Sequence, residues 1–143
     1  MSEAIEGTIH EVKTLEIPRA QDARGSLCVL EDGAEALPFG IKRVFYIFGV
    51  PEDCERGGHA HRRSSRILVA LGGSVAVRVS DGSHEAAFRL DNPSRGLLIP
   101  PGIWVSMEKF SKGTTLLVLS DTIYDEAEYI RSYADFIDYK RKR

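Results

Sequence analysis

The sequence predicts an all-β domain, a sandwich or a barrel, closed by one short C-terminal helix. Three observations predict it. Runs rich in β-branched and aromatic residues recur roughly every eight to twelve residues, each ended by Gly, Pro, Asp or Asn. The run "SVAVRVS" alternates, with Val75, Val77 and Val79 on one face and Ala76 and Arg78 on the other. From Tyr124 to Lys140 the period changes, and Tyr129, Ile130, Tyr133, Phe136 and Ile137 fall at helical spacing.

The elements follow in order. "GTIHEVKTLEI" (Gly7–Ile17) reads as a first strand and "GSLCVLE" (Gly25–Glu31) as a second. "IKRVFYIF" (Ile41–Phe48) has the composition of a third. The loop "GVPEDCERGG" delivers the chain into "HAHRRSSRILVAL", and "GG" at 72–73 marks a turn. "SVAVRVS" and "EAAFRL" flank the hairpin signal Asp81–Gly82. "DNPSRG" turns the chain again, and "LLIPPGIWVSM" and "TTLLVLS" supply the last strands. Residues 1–143 thus read as one domain, with the barrel over 7–122 and a helical segment over 124–140. The tyrosines of that segment are expected to pack the helix onto the barrel.

Composition narrows the function. The 143 residues are 43% hydrophobic, which suits a globular domain with its own core. A formal net charge of -2 argues against nucleic acid as a partner. No apolar run reaches the length of a membrane span, and the mixed, charged N-terminus does not read as a secretory signal. The two cysteines, Cys28 and Cys54, make no disulfide framework, so free thiols in the cytoplasm are expected.

The chemistry concentrates in "RGGHAHRRSSRILVALGG" (Arg56–Gly73). Histidines one residue apart on a strand share a face, so His59 and His61 point the same way. Such a pair can hold a metal or move protons. His10 and His84 lack this setting and are read as structural.

"GGHAH", the strand behind it and "GLLIPPG" resemble the two signature segments of the cupin superfamily. Metal-binding cupins place a glutamate four or five residues past the histidines and a third histidine after the second segment. Here Ser65 and Arg66 stand at the first place, and Ile103, Trp104 and Val105 follow "PPG". Two imidazoles are too few protein ligands for a catalytic divalent ion. Proton transfer is therefore favoured over metal binding, and no metal or other cofactor is expected.

The resemblance narrows further. "DARGSLCVLE", "PFGIKRVFYIFGVP", "RGGHAH", "LGGSVAVRVSDG", "FRLDNPSRGLLIPPGIWVSMEKFS" and "LVLSDTIYDEAEYIRSYADF" are similar to the sugar 3,4-ketoisomerase family, WxcM-like members of the cupin superfamily. The resemblance implies a cupin, jelly-roll-like β-barrel and a homodimer with an exchanged N-terminal strand. It implies a dTDP-linked 4-keto-6-deoxyhexose as substrate, isomerised to the 3-ketone without metal. It also implies a place in deoxysugar biosynthesis for bacterial surface glycans such as O-antigen, or for antibiotics. The sequence departs from the family at Phe45, where a tyrosine is usual, at Ser65 and Arg66, where an acid or amide is usual, and at Val105 and Ser106.

That reaction removes the C3 proton, passes through an enediol and returns a proton at C4. His59 and His61 suit it, since imidazoles titrate in the working range; which of them is the base stays open. No Gly-rich phosphate loop is present, so arginines must hold the diphosphate. Arg24 and Arg43 stand where the family has its own, and Arg43 shares a strand face with Phe45 and Ile47. Arg56 is a further candidate, and Tyr46 and Trp104 are candidates to stack on the base or the sugar. Two other readings are kept: a non-catalytic nucleotide-sugar-binding cupin, which Phe45 and Ser65 favour and His59 and His61 oppose, and a metal-dependent cupin oxygenase, which the missing ligands oppose.

Overall fold

In a computed structural model, the structure describes residues 7–33 and 37–142. The strands are β1 (Lys13–Glu16), β2 (Arg19–Asp22), β3 (Gly25–Cys28), β4 (Arg43–Phe48), β5 (Arg56–His61), β6 (Arg66–Gly72), β7 (Val75–Ser80), β8 (Glu85–Leu90), β9 (Arg95–Ile99), β10 (Trp104–Glu108), β11 (Thr115–Ser120) and β12 (Tyr129–Ile130). One α-helix follows, α1 (Tyr133–Arg141). Two five-stranded antiparallel sheets, in the orders β1-β9-β6-β11-β4 and β12-β5-β10-β7-β8, form the two walls of a jelly-roll barrel of the cupin kind. The hairpin β2–β3 forms a separate two-stranded sheet.

The alternation seen in the sequence sorts side chains into three cores. Val75, Val77 and Val79 of β7 meet Leu68, Val105, Leu116 and Val118 in the barrel interior. On the far face of the first sheet, Ile67, Val69 and Leu119 are covered by Ile17 and Leu37. On the far face of the second, Ala60 and Ile130 receive Phe136 of α1, which is fully buried. Burying a phenylalanine is worth about 2–3 kcal/mol, so Phe136 alone gives the short helix a firm seat.

The structure refines these elements. The first strand begins late, because Ile9–Glu11 forms a 3-10 turn in which the Glu11 carboxylate accepts from the Thr8 N–H. The hairpin partner β2 lies in "RAQD", which carries no strand-like composition. "HAHRRSSRILVAL" divides between β5 and β6, and the turn between them is held by a carboxylate far along the chain, described below. The terminal helix starts at Tyr133, capped by Ser132, whose hydroxyl accepts from the Asp135 N–H at 3.3 Å. The stretch before it is a 3-10 turn at Glu126–Glu128 and then β12, which pairs Tyr129 with His61 and Ile130 with Ala60.

β5 is bulged where it meets β10. Val105 pairs with His59, but Ser106 pairs with Gly57, so Gly58 is left over. Gly57 and Gly58 both have positive φ, +85° and +75°. A Cβ on Gly57 would lie 2.9 Å from the Val105 carbonyl oxygen. Only glycine fits this bulge, and the bulge sets the angle at which the two histidines enter the barrel.

Candidate active site

The barrel interior narrows to a cavity of about 260 Å³. Each wall contributes alternate residues: Arg43, Phe45 and Ile47 from β4, Arg56, His59 and His61 from β5, Arg66 and Leu68 from β6, Val105 and Met107 from β10. Tyr129 and Arg131 close it beside the histidines. The lining thus holds four guanidinium groups and no carboxylate.

His61 is anchored. Its Nδ1 lies 3.0 Å from Glu128 Oε1, and both side chains are buried. The Glu128 carboxylate also accepts from the N–H groups of Arg63 and Ser64, each at 2.9 Å, and from the Ser64 hydroxyl. Burial alone would raise the pKa of Glu128, but the His61 and Ser64 hydrogen bonds outweigh it and hold the carboxyl ionised. An ionised carboxylate only accepts, so His61 Nδ1 carries the proton and Nε2 keeps its lone pair. The same carboxylate draws residues 62–65 into the turn between β5 and β6.

Both imidazoles are held neutral. Burial and the charges of Arg66 and Arg131 lower His59 to about 4. Burial and Arg66 likewise lower His61, against the pull of Glu128. The His59 Nδ1 is buried without a hydrogen-bond partner. The two rings meet edge-on at 5.1 Å, and Tyr129 packs against both, at 5.1 Å from His59 and 4.3 Å from His61. Arg43 Nη1 donates to the Tyr129 hydroxyl at 3.3 Å, while its guanidinium lies over the Phe45 ring at 4.4 Å. The Arg131 guanidinium lies over the Tyr129 ring at 4.5 Å and is held by Glu126.

Of the residues singled out in the sequence, His59, His61, Arg43 and Arg56 line this one cavity. Three do not. Tyr46 lies on the outer face of β4, 63% exposed, because it is adjacent to the inward-facing Phe45. Trp104 faces α1 and packs on Tyr133 and Phe136, with Val105 inward in its stead. Arg24 sits on the exposed β2–β3 hairpin and is ion-paired with Asp22. Among the described residues, no group of three or more His, Cys, Asp or Glu is arranged to hold a metal ion. The position five residues past His61, where a metal-binding cupin can carry its glutamate, presents the Arg66 guanidinium to the cavity.

The sequence reading missed Glu128, Tyr129 and Arg131, because it placed them in a helix. Ser132 followed by Asp135 at the N3 position was the available signal. That pattern starts a helix at Tyr133 and frees "YDEAEYIR" for another task. In the sequence Arg66 stands out only as a departure from the metal-binding and family patterns.

The family model described as "FdtA: WxcM-like, C-terminal" matches residues 10–141. A TDP-4-oxo-6-deoxy-alpha-D-glucose-3,4-oxoisomerase of Aneurinibacillus thermoaerophilus is 39% identical over 132 residues, covering 92% of this chain and 94% of the relative. The sugar 3,4-ketoisomerase QdtA of Thermoanaerobacterium thermosaccharolyticum, solved in complex with TDP, is 39% identical with a TM-score of 0.90, over 95% of this chain and 98% of its own. The WlaRB TDP-quinovose 3,4-ketoisomerase of Campylobacter jejuni is also 39% identical, with a TM-score of 0.86, over 91% and 99%. With the family model matched over residues 10–141 and a relative 39% identical over nearly the whole length, the chain belongs to the WxcM-like FdtA family.

Proposed function

We propose that the chain is a sugar-nucleotide 3,4-ketoisomerase, moving the keto group of a dTDP-linked 4-keto-6-deoxyhexose from C4 to C3 by acid–base chemistry without metal. The carrying observation is a pair of imidazoles, His61 buried and His59 half-buried, that pack against the Tyr129 ring in a cavity ringed by arginines. A neutral imidazole removes the C3 proton, and the electron pair forms C3=C4 as the C4 carbonyl becomes an oxyanion. The O3 proton moves to O4, and the imidazolium returns its proton at C4, leaving the ketone at C3. No oxidant is needed. A positioned acid–base group contributes about 10²–10⁴-fold.

Tyr129 is the group suited to carry the hydroxyl proton, since Arg43 holds its phenol beside both rings. It answers the alternative of a merely binding cupin, which Phe45 favoured: the hydroxyl missing from β4 has a counterpart on β12. Arg56, at the start of β5, and Arg43 are assigned to the diphosphate, together with Arg24 of a second copy.

That last assignment rests on the homodimer with an exchanged N-terminal strand, for which the separate β2–β3 hairpin is the segment placed to cross. Both strands of β2–β3 are exposed along their length, and Leu27 is 64% exposed. β4 is an edge strand, and its outer face shows Val44, Tyr46 and Phe48, each more than half exposed. An apolar stripe on an unpaired edge invites a partner strand. Tyr46 then serves the interface. No helix among the described residues is long and apolar enough to cross a membrane. A dTDP-linked substrate and two exposed free cysteines, Cys28 and Cys54, suit the cytoplasm. The test of the activity is direct: incubation with dTDP-4-keto-6-deoxyglucose and NMR identification of the product. A 3-keto isomer is expected, and unchanged substrate would refute the reading.

A further inference from the structure

Arg66 opens β6 and shares the inward face with Leu68. It is 4% exposed, and its Nε and Nη2 are buried with no hydrogen-bond partner. A buried guanidinium normally has a carboxylate of its own. Here the two carboxylates whose charge reaches Arg66 are engaged elsewhere. Glu128 is occupied by His61, Ser64 and the Arg63 N–H, and Asp121 accepts from the Ser65 N–H at 2.9 Å. The unmet donors lie on one edge of the guanidinium, the edge that makes two parallel hydrogen bonds to a pair of oxygens. Arg66 lines the cavity that also holds the two histidines.

We propose that Arg66 is a catalytic residue that binds the enediolate, its guanidinium donating to O4 and the vicinal O3 of the sugar. The inference rests on the ketoisomerase reading. The C3–H electron pair enters C3=C4, the carbonyl pair moves onto O4, and the proton goes to an imidazole. Negative charge therefore appears on O4 as the proton arrives on the imidazole. A planar cis pair of oxygens fits the planar fork, and the desolvated cation stabilises the charge most where it develops. In the ground state O4 is a neutral carbonyl oxygen, so the interaction favours the transition state over the substrate.

The test compares Arg66→Gln, Arg66→Lys and Arg66→Met with the parent, measuring kcat and KM for the 4-keto nucleotide sugar and dTDP affinity by calorimetry. Arg66→Gln is expected to lose at least about 100-fold in kcat, with KM and dTDP affinity within about threefold, since loss of a preorganised oxyanion donor has that size. Arg66→Lys, which keeps the charge and loses the fork, should fall between. Should the glutamine variant fail to fold, Arg66→Lys and Arg66→Met read the same split. A kcat within threefold of an active parent would overturn this role alone. So would dTDP affinity falling in step with kcat, which would make Arg66 a phosphate ligand. A parent that does not isomerise the sugar would overturn the ketoisomerase reading, and this role with it.

Discussion

Replacing Glu128 by glutamine separates the position of His61 from its protonation. The carboxylate accepts from His61 Nδ1, the Ser64 hydroxyl, and the N–H groups of Arg63 and Ser64. A glutamine of the same shape can keep its amide oxygen on the two backbone donors. Its NH2 then meets His61 Nδ1 and donates to it. The ring must shift its proton to Nε2, which removes the lone pair from the cavity. Losing charge-assisted hydrogen bonds at one buried carboxylate costs about 1–3 kcal/mol, a fall of a few degrees in Tm. Losing a correctly protonated acid–base group costs about 10²–10⁴ in kcat, or about 3–5 kcal/mol of transition-state stabilisation. Glu128→Gln should therefore stay folded, bind dTDP like the parent and turn over at least 100 times more slowly. Turnover and the nitrogen shifts of the His61 ring would be measured on the same sample. A variant with its proton on Nε2 and turnover within threefold of the parent would refute the reasoning.

The pH dependence follows from His59. Its pKa is about 4 in the folded chain, where burial and Arg66 disfavour the cation, against an ordinary value of about 6.5. Burial and Arg66 lower His61 as well, so whichever imidazole is the base is neutral from about pH 5 to 8; kcat should be flat there and fall as pH drops through 4. Stability moves over a different window, because the unfolded chain takes up a proton near 6.5 that the folded chain refuses until 4. Denaturant midpoints should be level above pH 7 and decline between 6.5 and 4, by up to about 1.4 kcal/mol per pH unit for this group. An acid limb of the rate near 6.5 would contradict the assignment. At the interface, Tyr46→Glu with Phe48→Glu should convert a dimer into a species of one chain, 15.9 kDa by light scattering, and weaken dTDP binding by withdrawing the partner's Arg24. A parent already monomeric would end that account.

Much of the barrel was legible because it follows period two. The alternation that put Arg43, Phe45 and Ile47 on one face also puts Tyr46 on the other, and applied strictly it removes Tyr46 from the cavity. Trp104 yields to the same rule, since Val105 and Met107 face the interior. His59 and His61 were found because one residue between them fixes their common direction. Glu128 was hidden because its role is a contact 67 residues away in sequence, made only once β12 lies beside β5. Arg66 looked like one more surface cation in "RRSSR"; only the folded strand shows that it points inward while Arg62 and Arg63 stay exposed.

The central claim is that His59 and His61 move protons on the sugar carbons. It is tested most directly by NMR of the dTDP-linked keto sugar incubated in D₂O with the parent and with the double variant His59→Asn, His61→Asn. Asparagine is polar and smaller than the ring, so the variant should fold and keep its dTDP affinity. The parent is predicted to place deuterium at C3 of the 4-ketone and at C4 of the 3-ketone, and the double variant to do so at least 100 times more slowly. Deuterium entering at the parent rate in the double variant, or a parent that binds the sugar and exchanges none, would contradict the account.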